Sequence, residues 1–213
     1  MTKPEIIGSA RSTYTWVVRM VCEEKGIEYI LTEKMLGAPE LFAIHPLGKM
    51  PVLRHGQVEL FESKAIATYL DRSFPSPYVF PSDPRLAALT EQWVSLVNTV
   101  IDRTLIRTYV IAYIAPKTAD GKPDRAAIEA IMPAVREQLR ILDKAVARTG
   151  YLVDDSFTFA DINLMPILYR VQQFPEGADA LATASHLADY YNRHAARPSF
   201  KSTTPPSGAP GRS

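Results

Sequence analysis

The apolar positions of residues 1–72 change period along the chain. Glu5-Ile6-Ile7-Gly8 is a short apolar run closed by a glycine, which predicts a strand. From Ser12 to Lys25 the apolar residues Tyr14, Val17, Val18, Val21 and Cys22 fall at i, i+3, i+4, i+7 and i+8. That spacing puts them on one face of a helix. Gly26 follows where a helix closes on a left-handed residue. Glu28 to Thr32 reads as a second strand. Strand, helix and strand in this order predict a βαβ unit with a right-handed crossover. Pro51-Val52-Leu53-Arg54 and Val58-Glu59-Leu60-Phe61 then flank His55-Gly56-Gln57, a hairpin with a glycine in its turn. A helix starts at Ser63, with Ile66, Tyr69 and Leu70 on one side. The predicted order is β-α-β, a poorly ordered connection, then β-β-α.

Residues 73–84 contain four prolines in twelve positions. Each proline lacks an N–H and restricts the residue before it, so this stretch is not helical and predicts a domain boundary. Beyond it the apolar spacing is helical throughout. Leu86, Leu89, Trp93, Leu96, Val97, Val100 and Ile101 form one stripe, in a helix expected to end by Pro116. Ile128, Ile131, Val135, Leu139, Leu142 and Val146 form a second, with Pro133 predicting a kink or a late start. Thr158-Phe159-Ala160-Asp161 is a variant capping box ahead of Ile162, Leu164, Met165 and Leu168. A last helix covers roughly 185–195. The expected divisions are an α/β domain over 1–75, a linker over 76–84, an all-helical domain over 85–202 and a Pro/Gly/Ser-rich disordered tail over 203–213.

Composition narrows the function classes. The 213 residues carry a formal net charge of +1, with 46% hydrophobic and 22% charged residues. This is ordinary globular usage and argues against a dedicated nucleic-acid binder. One cysteine allows no intrachain disulfide and no cysteine-rich zinc site. No apolar run is long enough to span a membrane, and the first residues lack the apolar core of a secretory signal. A soluble, cytoplasmic protein is expected, with neither nucleic acid nor membrane as partner.

Two motifs at a fixed distance then carry a resemblance. His45-Pro46-Leu47-Gly48-Lys49-Met50-Pro51-Val52-Leu53 is followed by Glu62-Ser63-Lys64-Ala65-Ile66-Ala67-Thr68-Tyr69-Leu70. The pair resembles the N-P-x-G-x-[VM]-P and E-S-x-A-I-x-x-Y-L signatures of cytosolic glutathione transferases. The Thr158–Asp161 capping box and Arg197-Pro198-Ser199-Phe200 resemble the family as well. The resemblance implies a thioredoxin-like first domain (βαβ-ββα, a mixed four-stranded sheet) and an all-α second domain. It implies a cis bond before Pro51, turning the Met50 backbone toward the peptide backbone of glutathione. It implies that Ser63 and Glu62 receive the γ-glutamyl carboxylate and ammonium, and that Lys49 pairs with the glycyl carboxylate. A helix start suits a carboxylate because its N–H groups are unpaired and its dipole is positive there. Ser63 as a plain N-cap is the competing reading.

The thiol activator is expected in Gly8-Ser9-Ala10-Arg11-Ser12-Thr13-Tyr14. Ser12 matches the serine-type position of phi-like, theta-like and zeta-like or bacterial members; Ser9, Thr13 and Tyr14 compete with it. A thiol with a pKa near ~8.5 is only a few per cent thiolate at neutral pH. Lowering it by about two units takes ~2.7 kcal/mol, within reach of a hydroxyl hydrogen bond plus a helix start. No cysteine stands in this loop, which disfavours cysteine-type and maleylacetoacetate-isomerase-type members. Cys22 falls on the apolar face and is expected to be inert. His45 stands where the family commonly has Asn, and a structural role is expected for it.

The resemblance implies glutathione as co-substrate with no metal, a hydrophobic electrophile as acceptor, and a homodimer. Reduction of organic hydroperoxides needs only the same thiolate. Tyr14, Arg103, Arg107, Tyr109 and Tyr113 are candidate acceptor-pocket residues, the last four from i, i+4 spacing. The competing functions are a non-catalytic ligand-binding or protein-interaction module of the same fold, and a glutathione-dependent isomerase or dehalogenase.

Overall fold

The computed structural model describes residues 2–75, 77–116 and 118–206. By contacts they group into two units, 2–81 with 196–206, and 82–195. The first unit runs β1 (Glu5–Gly8), α1 (Thr13–Lys25), β2 (Ile30–Glu33), α2 (Pro39–Phe42), β3 (Val52–His55), β4 (Val58–Phe61) and α3 (Ser63–Ser73). Its sheet has the order β2-β1-β3-β4. β1 and β2 are parallel, as the βαβ pattern predicts, and the other pairings are antiparallel. The stretch expected to be poorly ordered contains α2, a single turn with Pro39 in its first turn, where the missing N–H costs nothing.

Helix α1 is buried more completely than its stripe suggests. Trp16, Val18 and Met20 are buried along with Val17, Val21 and Cys22, because α3 and one further helix both pack against it. Tyr14, expected in the buried stripe, is only half-buried. Gly26 closes the helix at φ 64°, with Ile27 N–H bonded to Cys22 O at 2.8 Å. A side chain with a Cβ would strain that left-handed position. At the helix end the Lys25 ammonium is fully buried. It pairs with Asp71 at 3.2 Å and donates to the carbonyls of Pro75 and Pro77. Asp71 in turn accepts from Val79 N–H at 2.8 Å. The proline-rich stretch is thus held by a buried charge whose donors are all used, the condition under which such a charge is tolerated.

The second unit begins with one long helical rod: α4 (Pro84–Leu96), a π-helical turn (Val97–Ile101), α5 (Asp102–Thr104), a second π-helical turn (Leu105–Val110) and α6 (Ile111–Ile114). Asp83 caps its start through Leu86 N–H. Then come α7 (Arg125–Val146), α8 (Phe159–Val171), α9 (Pro175–Thr183) and α10 (Ser185–Ala195). α7 runs on through Pro133, so the late start suggested by that residue is not found. The capping box of α8 is present. Asp161 accepts from the N–H groups of Thr158 and Leu152 and from the Tyr190 and Thr158 hydroxyls. Burial pushes its carboxyl pKa up while those donors pull it down.

Helix α11 (Pro198–Thr203) corrects the expected divisions. It packs on α1 in the first unit, so the helical domain expected over 85–202 does not include its last helix. Thr203, expected to open the tail, is buried; its hydroxyl accepts from Trp16 Nε1 at 2.7 Å and donates to Ser199 O at 2.5 Å. Arg197 makes two bonds to Glu24 at 2.8 and 2.7 Å, and Ser199 donates to the same carboxylate. Aromatic burial and these paired donors outweigh the polar look of the segment. The rest of the expected tail, 207–213, and Ser76 of the expected linker lie outside the described residues. Thr203→Val keeps the volume and removes the hydroxyl. It should lower unfolding stability by about 1–3 kcal/mol by leaving the indole N–H unpaired, read as the shift of the urea midpoint.

Candidate active site

Strand register brings three separate segments to one end of the first unit's sheet. Ile7 lies opposite Val52, and Val52 opposite Phe61. One residue further on, Gly8, Pro51 and Glu62 therefore share the next row, where β1 ends, β3 begins and β4 ends. The chain turns from β1 into α1 and from β4 into α3 at this same end. Two helix starts, each with unpaired N–H groups and positive potential, stand at one sheet edge. The peptide bond Met50-Pro51 is cis, as the motif resemblance implies.

The row is crowded, and Gly8 shows by how much. A Cβ there would meet Thr15 Oγ1 at 2.7 Å and Met50 Cβ at 3.2 Å. Met50 continues inward against Ile7, Leu41 and Val52. Its sulfur accepts Ser9 N–H at 3.2 Å. Ser9 O accepts Ser12 N–H at 2.9 Å, so the turn carrying Ser12 is tied to the residue before the cis bond. Ser12 is half-buried and is the N-cap of α1, with extended backbone (φ −72°, ψ 128°). Its oxygen accepts Thr15 N–H at 3.4 Å. The hydroxyl keeps its own proton to donate, so the capping role and a thiolate-donor role are compatible. The first turn of α1 holds no acidic side chain to compete with an anion.

Glu62 is the single junction residue between β4 and α3. Its φ of 67° and ψ of 117° are unusual for a side-chain-bearing residue. Such conformations persist only where the surroundings impose them, and they gather at functional sites. The Glu62 side chain is largely exposed, whereas Ser63, the first helical residue, is buried. His45 is buried beside them. Its Nδ1 accepts Leu47 N–H at 2.9 Å, its ring lies 4.9 Å from that of Phe61, and its Nε2 is 3.6 Å from Glu62 Oε1. Gly48, at φ 59°, completes this loop; a Cβ there would meet the Phe42 ring at 2.6 Å. Lys49 is exposed.

Ser12, Lys49, Met50, Pro51, Glu62 and Ser63 all belong to this first unit. The four expected acceptor residues from the second unit are placed differently. Tyr109 is fully buried, and its oxygen accepts Gly177 N–H at 2.7 Å; burial pushes its phenol pKa up. Tyr113 stacks on Phe174 at 4.2 Å, donates to Glu176 and accepts from Arg125 at 3.0 Å. Arg107 pairs with Asp102 at 2.9 Å, while Arg103 is exposed. Arg103 and Arg107 were read at α-helical spacing, and both are exposed. The second π-helical turn intervenes, and its wider winding brings residues five apart together. Arg107 reaches Asp102, and Thr108 Oγ1 donates to Arg103 O at 2.9 Å.

Two contacts were missed in the sequence: the bond from Ser9 N–H to the Met50 sulfur, and the approach of His45 to Glu62. The first has no sequence signal. The second has a partial one, since a side-chain acceptor two residues before Leu47 marks a side-chain-closed turn.

Comparison with known proteins follows the same two parts. Residues 6–78 match the model of the glutathione S-transferase N-terminal domain, and residues 103–198 that of the glutathione S-transferase C-terminal domain. The chain is 29% identical over 195 residues to glutathione S-transferase 3 of Zea mays, covering 87% of this chain and 86% of that protein. It is 25% identical over 206 residues to a stringent starvation protein A homolog of Haemophilus ducreyi, covering 90% and 87%. Among solved structures, it is similar to a glutathione S-transferase from Methylobacillus flagellatus KT with GSH bound. That likeness has a TM-score of 0.80 at 28% identity and covers 95% of this chain and 100% of the other.

Cys22 is a free, fully buried cysteine on α1. Burial, helped by the neighbouring Glu23 carboxylate, pushes the Cys22 thiol up to about 12. Iodoacetamide at pH 8 should leave Cys22 unmodified in the native protein and alkylate it in urea, as read by mass spectrometry.

Proposed function

We propose that this chain, which belongs to the glutathione S-transferase family, is a glutathione transferase that binds its thiol substrate along the sheet edge formed by Gly8, Pro51 and Glu62. The observation that carries the reading is that register row, with two helix starts and a half-buried serine cap at one end of the sheet. The named relatives support the same activity.

In this reading the α3 start and Ser63 receive the γ-glutamyl carboxylate, Glu62 its ammonium, and the Met50 backbone the peptide groups. Lys49, exposed beside Met50, suits the glycyl carboxylate. The thiol then lies at the α1 start, where the Ser12 hydroxyl donates to sulfur. The thiol proton leaves to solvent, and the donor and the helix dipole favour the remaining anion. The thiolate attacks an electrophilic carbon, a C–S bond forms, and the electron pair departs with the leaving group or moves along an activated double bond. With an organic hydroperoxide, attack on oxygen gives the alcohol and a glutathione sulfenic acid. A second glutathione converts this to the disulfide and water.

A homodimer is part of the proposal. Met35, Leu36, Phe42 and Leu47 are exposed apolar residues of the first unit, between 55% and 75% accessible, and a second copy would cover them. A cytoplasmic location fits because the reaction consumes reduced glutathione, which that compartment maintains.

The test is the thiol pKa of bound glutathione, titrated by thiolate ultraviolet absorbance. It should lie at least about one unit below that of the free thiol. Ser12→Ala should keep glutathione affinity within a few fold, return the bound pKa toward the free value and lower turnover by about tenfold to a hundredfold at neutral pH. Absence of saturable binding, or an unshifted thiol in the unmodified protein, would overturn the reading. Unchanged turnover in the Ser12→Ala variant would remove Ser12 from it.

A further inference from the structure

We infer that His45 is a positioning residue for recognition of the glutathione ammonium group: its imidazole holds the Glu62 carboxylate where that ammonium binds. The inference rests on the glutathione reading above and goes beyond it, because His45 itself touches no substrate in that reading.

Glu62 has the properties of a ligand group in need of a support. Its side chain is 70% exposed. A glutamate that free loses substantial rotamer entropy when a ligand orders it. Its backbone is fixed by the β4–α3 junction, but the carboxylate lies several rotatable bonds beyond. His45 Nε2 lies 3.6 Å from Glu62 Oε1 and is the side-chain nitrogen nearest that carboxylate in the contacts of the described residues.

His45 is in turn held on three sides. It is buried, its ring leans on Phe61, and its Nδ1 accepts Leu47 N–H. The last contact also selects the tautomer. With Nδ1 occupied as an acceptor, the proton of the neutral ring sits on Nε2, the nitrogen that faces Glu62. The ring therefore turns an N–H toward Glu62 Oε1 across 3.6 Å, a gap that a small rotation of the exposed Glu62 side chain closes to a hydrogen bond, and leaves Oε2 for an incoming ammonium. Glu62 is the carboxylate that faces the ring; Leu47 supplies a backbone N–H and Phe61 a ring, neither titratable.

An asparagine at position 45 would separate the two contacts. Its short side chain can accept Leu47 N–H in the same turn, but it ends before reaching Glu62. His45 thus adds a second function to a turn that a smaller residue can close.

The experiment compares two ligands on His45→Asn and the unmodified protein by calorimetric titration: glutathione, and deamino-glutathione, which lacks only the α-amino group. The variant should bind glutathione about threefold to tenfold more weakly and deamino-glutathione equally well. In turnover the loss should fall on KM for glutathione, with kcat unchanged, because the contact is the same in ground and transition states. In a Glu62→Gln background, His45→Asn should change glutathione affinity less than about twofold. Equal loss for both ligands would assign His45 to folding of the loop and overturn the inference, as would no loss for either. If His45→Asn fails to fold, His45→Gln carries the same ligand comparison with the same criteria. Failure of the unmodified protein to bind glutathione at all would overturn the parent reading. Binding without the ligand-dependent difference would overturn only this inference.

Discussion

The antiparallel register of β1, β3 and β4 is the constraint on which the rest depends. Side chains alternate across a sheet, so a slip of one residue moves every group to the opposite face. Ile7, Val52 and Leu53 are completely or almost completely buried; Val52 and Leu53 fill opposite faces of the sheet, and a slip of β3 by one residue would exchange them and undo the packing of both. Apolar burial therefore locks the register. The lock carries the chemistry with it, because Gly8, Pro51 and Glu62 lie one step beyond the locked row. A core requirement, with no reference to a ligand, aligns the ends of three chain segments that are up to fifty-odd positions apart.

The site is then built from devices that each serve two purposes. Ser12 caps α1 and retains a proton to donate. Met50 fills the space between Ile7, Leu41 and Val52 and also accepts Ser9 N–H. His45 closes a turn and faces Glu62. Such sharing means that the precision of the site comes from groups that the fold needs anyway. The unusual backbone at Glu62 is the exception, a strained position held by the one-residue junction between β4 and α3.

Much of this was legible in the sequence. Local periodicity located α1, the hairpin and α3, because each is amphipathic against one sheet. The paired motifs placed Pro51 after its cis bond and Glu62 and Ser63 at the start of α3, because turn and helix-start chemistry is local. What escaped depends on distance along the chain or on helix winding. Trp16 gave no sign that it would meet Thr203, nearly two hundred residues away. The two π-helical turns left no mark in the apolar pattern, nor did the pairing of Arg107 with Asp102, five residues before it. α11 looked like the end of the helical region because a segment's polarity does not say which unit will cover it.

The return of α11 to the first unit bears on the order in which the protein is made. Synthesis delivers β1 to α3 first, yet the indole of Trp16 and the carboxylate of Glu24 wait for Thr203 and Arg197. At translation rates of roughly 5–20 residues per second, the partners arrive on the order of ten to forty seconds after α1 emerges. Throughout that interval the face of α1 that packs on α11, Trp16 included, lacks the partner that buries it. The packing around α1 is completed only after α11 has left the ribosome, so the first unit closes through a segment made after the whole of the second.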